Sequence, residues 1–317
     1  MNMKLSLLAL ALALAPSAFA LVGSLGPKVI VTGAAGRVGK LVFSRLTDSP
    51  KFEAVGLVRT EKSAKKLMKE VECGIDHVVV VDVTELNHDE ERTVPQGLAG
   101  AESMIICTSA VPYISKMSAI KVIMKIPTNV ILGKKAVNPR DFEFKYRPGQ
   151  YPEKVDYEGQ KKQIDLAEKL GIEHVVLVSS MGGTDPSNYL NTMGKDKDGN
   201  GHGDVLLWKR KAEKYLTKSG LSYTIIHPGR LLDTASGEKE LILDVDDKLS
   251  SKNEKRYTGI SRGDVADLCV AALTVGKGRN VSFDCTSRDV VSGKKIQSAD
   301  EALAEFLRTG RTTDYSL

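Results

Sequence analysis

Apolar and polar positions along this chain follow two periods, and the two take turns. A β-branched run, Lys28-Val29-Ile30-Val31-Thr32, enters a glycine-rich turn, Gly33-Ala34-Ala35-Gly36-Arg37-Val38-Gly39. Val38, Leu41, Val42 and Leu46 then recur at helical spacing. The exchange repeats downstream. Further strands are predicted over 52–58, 77–81, 103–107, 174–178, 223–226 and 281–284. Amphipathic helices are predicted over 155–170, with Gly171 as C-cap, and over 206–219. Another helix begins at Ser261-Arg262-Gly263-Asp264, a capping-box spacing, and a last one covers 298–307. Several strand runs are continuously apolar, as strands buried on both faces must be. Strands that alternate with helices call for an α/β fold, a doubly wound parallel sheet (Rossmann fold), in a single domain over 27–317.

Two stretches break the rhythm. Residues 113–151 lose periodicity and carry Pro127, Pro139, Pro148 and many lysines. They read as a long loop with a short helix, a candidate substrate lid. Residues 185–204 form a polar insertion. Within it, Asp196-Lys197-Asp198-Gly199-Asn200-Gly201 imitates the start of a calcium loop. The twelfth position of that pattern is Leu207, where a glutamate is needed, so a solvated turn and no metal site are expected.

With 42% hydrophobic and 27% charged residues, the 317-residue chain has the composition of a soluble protein with a large core. The net charge of +5 comes with no basic stripe, which argues against nucleic acid and against an RNA-associated role. Cys73, Cys107, Cys269 and Cys285 are widely spaced and form neither a disulfide framework nor a zinc site. The N-terminus differs. Lys4 precedes an apolar run over 5–15, and Ala18-Phe19-Ala20 is a small-x-small cleavage pattern. Residues 1–20 read as a secretory signal peptide, leaving no membrane span in the mature protein.

The glycine turn carries the chemistry. Strand, glycine turn and helix together form a dinucleotide-binding context. Gly33 takes the tight turn, Gly36 lets a pyrophosphate approach, and Gly39 lets helix and sheet pack closely. With Ala35, Arg37 and Val38 they present the N–H groups of a helix start to phosphates. Arg59 follows the second strand, where an arginine accommodates the 2′-phosphate of NADP and an acid would mark NAD. Asp82, beside Val83, ends the third strand; it either accepts from the adenine amino group or caps its own turn. Thr108-Ser109-Ala110 are small residues at the end of the fourth strand and leave room for a ligand.

Taken together, 32–39, Leu57-Val58-Arg59, 108–112, Ser179-Ser180-Met181-Gly182-Gly183, Trp208-Lys209-Arg210-Lys211-Ala212-Glu213 and 223–229 resemble an atypical short-chain dehydrogenase/reductase of the NmrA-like kind. The chain is most similar to a plant subgroup of NADP-binding proteins. The resemblance covers nearly everything from Lys28 onward except the two insertions. It implies an NADPH-dependent oxidoreductase. Ser179 or Ser180 would take the serine role, and Lys209 would hold the nicotinamide ribose; Lys211 is a second candidate. Met181-Gly182-Gly183 and Pro228-Gly229-Arg230-Leu231 would line the nicotinamide end. The superfamily places a proton-donating tyrosine four residues before its lysine. Here that position is Val205, or Leu207 if the lysine is Lys211, and neither side chain exchanges a proton. The expectation is therefore a hydride acceptor that is conjugated or quinone-like, or a donor such as Tyr113, Tyr151, Tyr189 or His202 supplied by the insertions. The alternative is a non-catalytic NADP-binding regulator or scaffold. An oligomer is compatible with either. Ser17-Ala18-Phe19-Ala20 also resembles the phenylalanine motif of precursors bound for secondary plastids in diatoms and related algae. That implies a plastid location by way of the signal peptide; the alternative is secretion or an endomembrane lumen.

Overall fold

The computed structural model describes residues 26–86, 95, 97–133, 136–138, 141–250, 259–291, 293 and 295–316. Residues 1–20, read above as a signal peptide, therefore lie outside the described residues. In chain order the elements are β1 (Lys28–Thr32), α1 (Gly39–Thr47), β2 (Glu53–Val58), α2 (Glu61–Val71), β3 (Val78–Val80), β4 (Ala101–Ile106), β5 (Tyr113–Ile114), α3 (Lys116–Ile131), β6 (Phe144–Lys145), α4 (Gln160–Lys169), β7 (His174–Val178), α5 (Val205–Leu216), β8 (Ser222–Pro228), β9 (Leu231–Leu232), β10 (Glu240–Asp244), β11 (Ile260–Ser261), α6 (Arg262–Thr274), β12 (Val281–Arg288) and α7 (Ala299–Arg308).

Eight strands form the central sheet in the order β10-β12-β8-β7-β4-β1-β2-β3. Its strands are parallel except β10, which pairs antiparallel with β12, Leu241 opposite Ser287. Residues alternate across the sheet. Val29 and Val31 face one core with Phe43, Leu46, Leu268 and Phe306; Ile30 faces the other with Ile164, Ala167 and Leu216. Helices on both faces explain why the strands are apolar on both sides. The order of strands reverses between β1 and β4, because β2 and β3 extend one way and β7, β8 and β12 the other. Such a switch point opens a crevice at the carboxyl ends of the strands.

Three expectations change. The parallel sheet gains the antiparallel edge strand β10, a short Glu-Leu-Ile-Leu-Asp run flanked by polar residues. The long loop with a short helix expected over 113–151 is instead a 16-residue helix, α3, with Pro127 inside and β5 and β6 paired beside it. The helix expected over 155–170 starts as a wide π-type turn, Glu153–Gly159, before α4. Wide turns of this kind re-aim side chains. Elsewhere the caps agree with the local sequence. The Ser261 hydroxyl accepts from Asp264 N, and Ser298 and Glu301 complete a reciprocal capping box.

Candidate functional site

The glycine turn sits at the switch point. Cys107 N donates to Thr32 O at 3.2 Å, so the end of β4 lies against the end of β1. Gly33 has φ +65°, and a Cβ there would stand 3.0 Å from Cys107 C and O and from Thr108 N. A Cβ on Gly39 would meet Gly33 O at 2.3 Å. Both positions require glycine for different reasons, one a left-handed backbone and the other a close backbone approach. A Cβ on Gly36 would stand 3.0 Å from Gly33 O, and Ala35, Gly36 and Arg37 are exposed. No side chain caps α1, and no acid occupies its first turn. An uncapped helix start behind a bare glycine turn is what a pyrophosphate requires. The dinucleotide therefore fits this cradle.

The other sequence-predicted residues stand along the same edge of the sheet, each at the end of its strand. Arg59 follows β2 and is exposed, with no hydrogen bond or ion pair to another described residue. Thr60 beside it caps α2 by accepting from Ser63 N at 3.2 Å. Arg59 thus stands at a second helix start. Asp82 follows β3 and takes the turn-capping course, since its Oδ1 accepts from Thr84 N and Oγ1 at 3.0 and 2.7 Å. Val83 lies in the same turn and is half-buried. Arg37 leans across to ion-pair with Asp233, which Arg262 also reaches at 2.8 Å.

Thr108, Ser109 and Ala110 are held by the helix behind them. Gln160 Nε2 donates to Thr108 O at 2.9 Å, Gln163 Nε2 to Thr108 Oγ1 at 3.1 Å, and Ala110 N to Asp156 Oδ2 at 3.0 Å. Asp156, on the wide π turn, is fully buried, and its Oδ1 lies 2.7 Å from Lys209 Nζ. This pair brings Lys209 from α5 to the end of β4. Lys211 goes elsewhere: its ammonium lies 4.2 Å from the centre of the Tyr157 ring and 4.9 Å from that of Trp208. Of the two candidate lysines, Lys209 is the one tied to the end of β4, through Asp156.

The serines divide. Ser179 is buried and donates to Glu213. Ser180 is half-buried and donates to Met181 O at 3.1 Å. Asp247 accepts from Gly182 N, Thr184 N and Thr184 Oγ1 at 2.5, 2.9 and 2.5 Å, and so fixes the loop after Ser180. Met181 N donates to Pro228 O at 3.1 Å, and Gly229 N to Cys285 O at 2.9 Å. Arg230 and Leu231 continue from there to β9, where Arg230 O accepts from Ile260 N at 2.9 Å.

Behind Ser179 lies a buried ionic cluster. Glu213 Oε2 is 3.2 Å from His227 Nε2 and 3.5 Å from Arg210 Nη1; His227 Nδ1 is 3.3 Å from Asp284 Oδ1. Burial pushes Glu213 up, but His227, then Ser179 and Arg210, bring it down to about 2. Burial pushes His227 down, but Glu213 and Asp284 hold it up at about 10. Asp284 is raised, since its burial outweighs the pull of His227. Arg210 also stacks on Tyr315, 4.2 Å from the ring centre, and donates to Asp314 O at 2.7 Å. The cluster ties α5, β8, β12 and the C-terminal segment together.

Asp156 and Tyr146 carry no local sequence signal and were not among the expected residues. Tyr146 is buried, packs with Ala110 and Val155, and comes from the first insertion. Burial and then the Asp156 charge push its phenol above the ordinary range. Of the expected donors, Tyr151 stacks on His202, ring centres 3.5 Å apart, joining the two insertions. Tyr113 lies exposed on β5, and Tyr189 in a single 3-10 turn. The calcium-like loop spends Asp196 Oδ1 on its own Asp198 N and Asn200 N, both at 2.9 Å.

Comparison with known proteins agrees with the fold. The NAD(P)H-binding family model matches residues 33–275. Sanguinarine reductase of Eschscholzia californica is 39% identical over 286 residues, 88% of this chain and 93% of that protein. The uncharacterized chloroplastic protein At2g37660 of Arabidopsis thaliana is 37% identical over 266 residues, 84% of this chain and 71% of its own. Among solved structures, a putative NAD-dependent epimerase/dehydratase from Bacillus halodurans superposes with a TM-score of 0.57 at 23% identity, over 89% of this chain and 100% of that one, a likeness of fold.

Proposed function

The chain belongs to the NAD(P)H-binding family, and we propose that it is an NADPH-dependent oxidoreductase acting on a small conjugated or quinone-like substrate. One observation carries this reading: the glycine turn, Arg59 and the Lys209–Asp156 pair stand along one edge of one sheet. The 39% identity to a protein named as a reductase supports it.

The bound dinucleotide would supply a hydride; the chain supplies position and charge. The N–H groups of Arg37, Val38 and Gly39 would meet the pyrophosphate, while Gly36 N is already spent on Gly33 O at 2.8 Å. The Lys209 ammonium is ion-paired with Asp156 and has N–H groups to offer ribose hydroxyls. Ser180, at the mouth beside Met181, is the hydroxyl that orients an acceptor oxygen. Tyr146 takes over the proton donation that Val205 cannot perform. A phenol is protonated at neutral pH; burial and the Asp156 charge make this one a weaker acid than a free tyrosine. The assay is NADPH oxidation over a panel of quinones and carbonyls. Lys209→Met should lower kcat about 100-fold while a fluorescence titration still shows NADPH bound. Tyr146→Phe should lose a similar factor on carbonyls and spare quinones, whose reduced anions are stabilised electronically. A folded, NADPH-binding protein inert across the panel would favour the regulator or scaffold reading.

NADP is proposed over NAD because Arg59, exposed and without a hydrogen bond or ion pair among the described residues, can form a bidentate pair with a 2′-phosphate at the cap of α2. Arg59→Ala should weaken NADPH binding by about 1.5–3 kcal/mol, the range of a charge-assisted contact, and leave NADH nearly unchanged. Calorimetry on both cofactors decides this; equal losses would mean that Arg59 does not read the phosphate.

A plastid location is proposed from Ser17-Ala18-Phe19-Ala20 and from the chloroplastic relative. A fluorescent fusion to roughly the first 30 residues, long enough for signal and linker, should enter the plastid. Phe19→Ala should strand it in the endomembrane system. Secretion of the unaltered fusion would leave a signal peptide without plastid import.

A further inference from the structure

Helix α3 is built inside out. Among the described residues of its inner face, Ser118 and Val122 are buried. Its large apolar residues point away from the protein: Met117, Ile120, Ile123, Met124 and Ile131 are 64, 51, 61, 74 and 83% exposed. At about 100° per residue these five occupy a stripe about 120° wide. Lys121 and Lys125 line one margin of the stripe, and Lys116, at the start of the helix, lies just inside the other edge, by about 20°. All three lysines are exposed. No Asp or Glu occurs between Glu102 and Asp141, while Lys116, Lys121, Lys125, Lys134, Lys135 and Arg140 do.

We propose that α3 docks this protein on an anionic lipid bilayer, lying in the plane of the headgroups. The apolar stripe enters the boundary of the acyl chains, and the flanking lysines meet lipid phosphates. A wide apolar stripe with a basic margin is the signature of helices that lie on a membrane, and lysines near an anionic surface add an attraction that falls off within a Debye length. No helix among the described residues is long and apolar enough to cross a membrane, so the contact is peripheral. A second copy is the poorer occupant. A two-fold interface would set α3 on α3 and lysine against lysine, with no acid in the stretch to answer them.

The test is flotation of the purified full chain with vesicles of phosphatidylcholine alone and of phosphatidylcholine mixed with phosphatidylglycerol. Binding is expected to the anionic vesicles, with at least about a tenfold loss as salt rises from roughly 0.1 to 1 M. Two variants locate the contact: Lys116→Glu/Lys121→Glu/Lys125→Glu, and Met117→Ser/Ile120→Ser/Ile123→Ser/Met124→Ser. Each should lose at least about tenfold in vesicle affinity while retaining the circular dichroism spectrum and NADPH affinity of the parent. Equal binding by parent and both variants would overturn the proposal, since the apolar N-terminal run would then carry the lipid. So would no binding to either vesicle. Sedimentation velocity closes the remaining case: a dimer that the serine variant dissolves, without vesicle binding, would assign α3 to a second copy instead.

Discussion

Glu213→Gln should cost about 3–5 kcal/mol of folding stability, the usual result of removing one partner from a buried ion pair. Glu213 is 2% exposed, and its two oxygens serve Ser179, His227 and Arg210 at once. Glutamine keeps the size and an acceptor for Ser179 but removes the charge. Arg210, 7% exposed, would then be left with the Asp314 carbonyl and the Tyr315 ring. Urea unfolding would read the loss as a lower midpoint at unchanged slope. Adding His227→Gln to the single variant should recover part of the loss, because the second substitution removes a buried cation that has lost the nearer of its two carboxylates and keeps only Asp284, at 3.3 Å. Strict additivity of the two would show that Glu213 and His227 do not interact.

The same cluster sets a pH dependence. His227 has a folded pKa of about 10, above its ordinary 6.5. Its contribution to stability is complete below pH 6.5 and is lost as pH rises towards 10. Glu213, lowered to about 2 from 4.5, contributes above pH 4.5 and loses its share as pH falls towards 2. These are two views of one interaction and are not summed. Asp284 has the opposite sign, since its raised pKa costs stability once it is ionised. Stability should therefore slope downward between pH 6.5 and 10, and His227→Gln should flatten that slope. An unchanged slope in the variant would place the titrating group elsewhere.

The central sheet was legible in the sequence because strands buried on both faces leave continuous β-branched runs, such as Val29-Ile30-Val31 and Val78-Val79-Val80. The glycine turn was legible because its spacing, strand and helix are all local. What was missed has a shared cause. Helix α3 hides its period because both faces carry apolar residues and Pro127 sits in its middle. Asp156 and Tyr146 look ordinary in a polar helix start and a proline-rich stretch; only tertiary packing brings them to Ala110 and Lys209. The choice between Lys209 and Lys211 had the same character. Spacing allowed both, and it is the buried carboxylate on a neighbouring helix that selects one. Ser179 shows the reverse effect: a residue in the expected place is turned towards Glu213 by a partner far along the chain.

The largest effect on cofactor binding should come from Gly39→Ala. The added methyl would stand 2.3 Å from Gly33 O, 2.9 Å from Gly33 C and 3.3 Å from Ala34 Cα. Every one of these is backbone, so no side chain can swing aside. Gly33 has little room to retreat, because the end of β4 closes it in: a Cβ placed there would stand 3.0 Å from Cys107 C and O and from Thr108 N. The turn must open or α1 must lift from the sheet. Either motion misaligns the N–H groups of the first turn of α1 with the pyrophosphate. Overpacking of this kind costs about 1–3 kcal/mol of stability, and the loss of aligned phosphate donors should weaken NADPH by more than about tenfold, or 1.4 kcal/mol. Gly36→Ala makes a sharp comparison. Its methyl would lie 3.0 Å from Gly33 O at an exposed position, so stability should change little while NADPH affinity falls, because the methyl stands where the pyrophosphate approaches. Thermal unfolding without cofactor and NADPH titration separate the two effects. Gly39→Ala should move both readouts and Gly36→Ala only the second. A Gly39→Ala protein with the parent's melting temperature and NADPH affinity would show that α1 packs less closely on the glycine turn than these distances state.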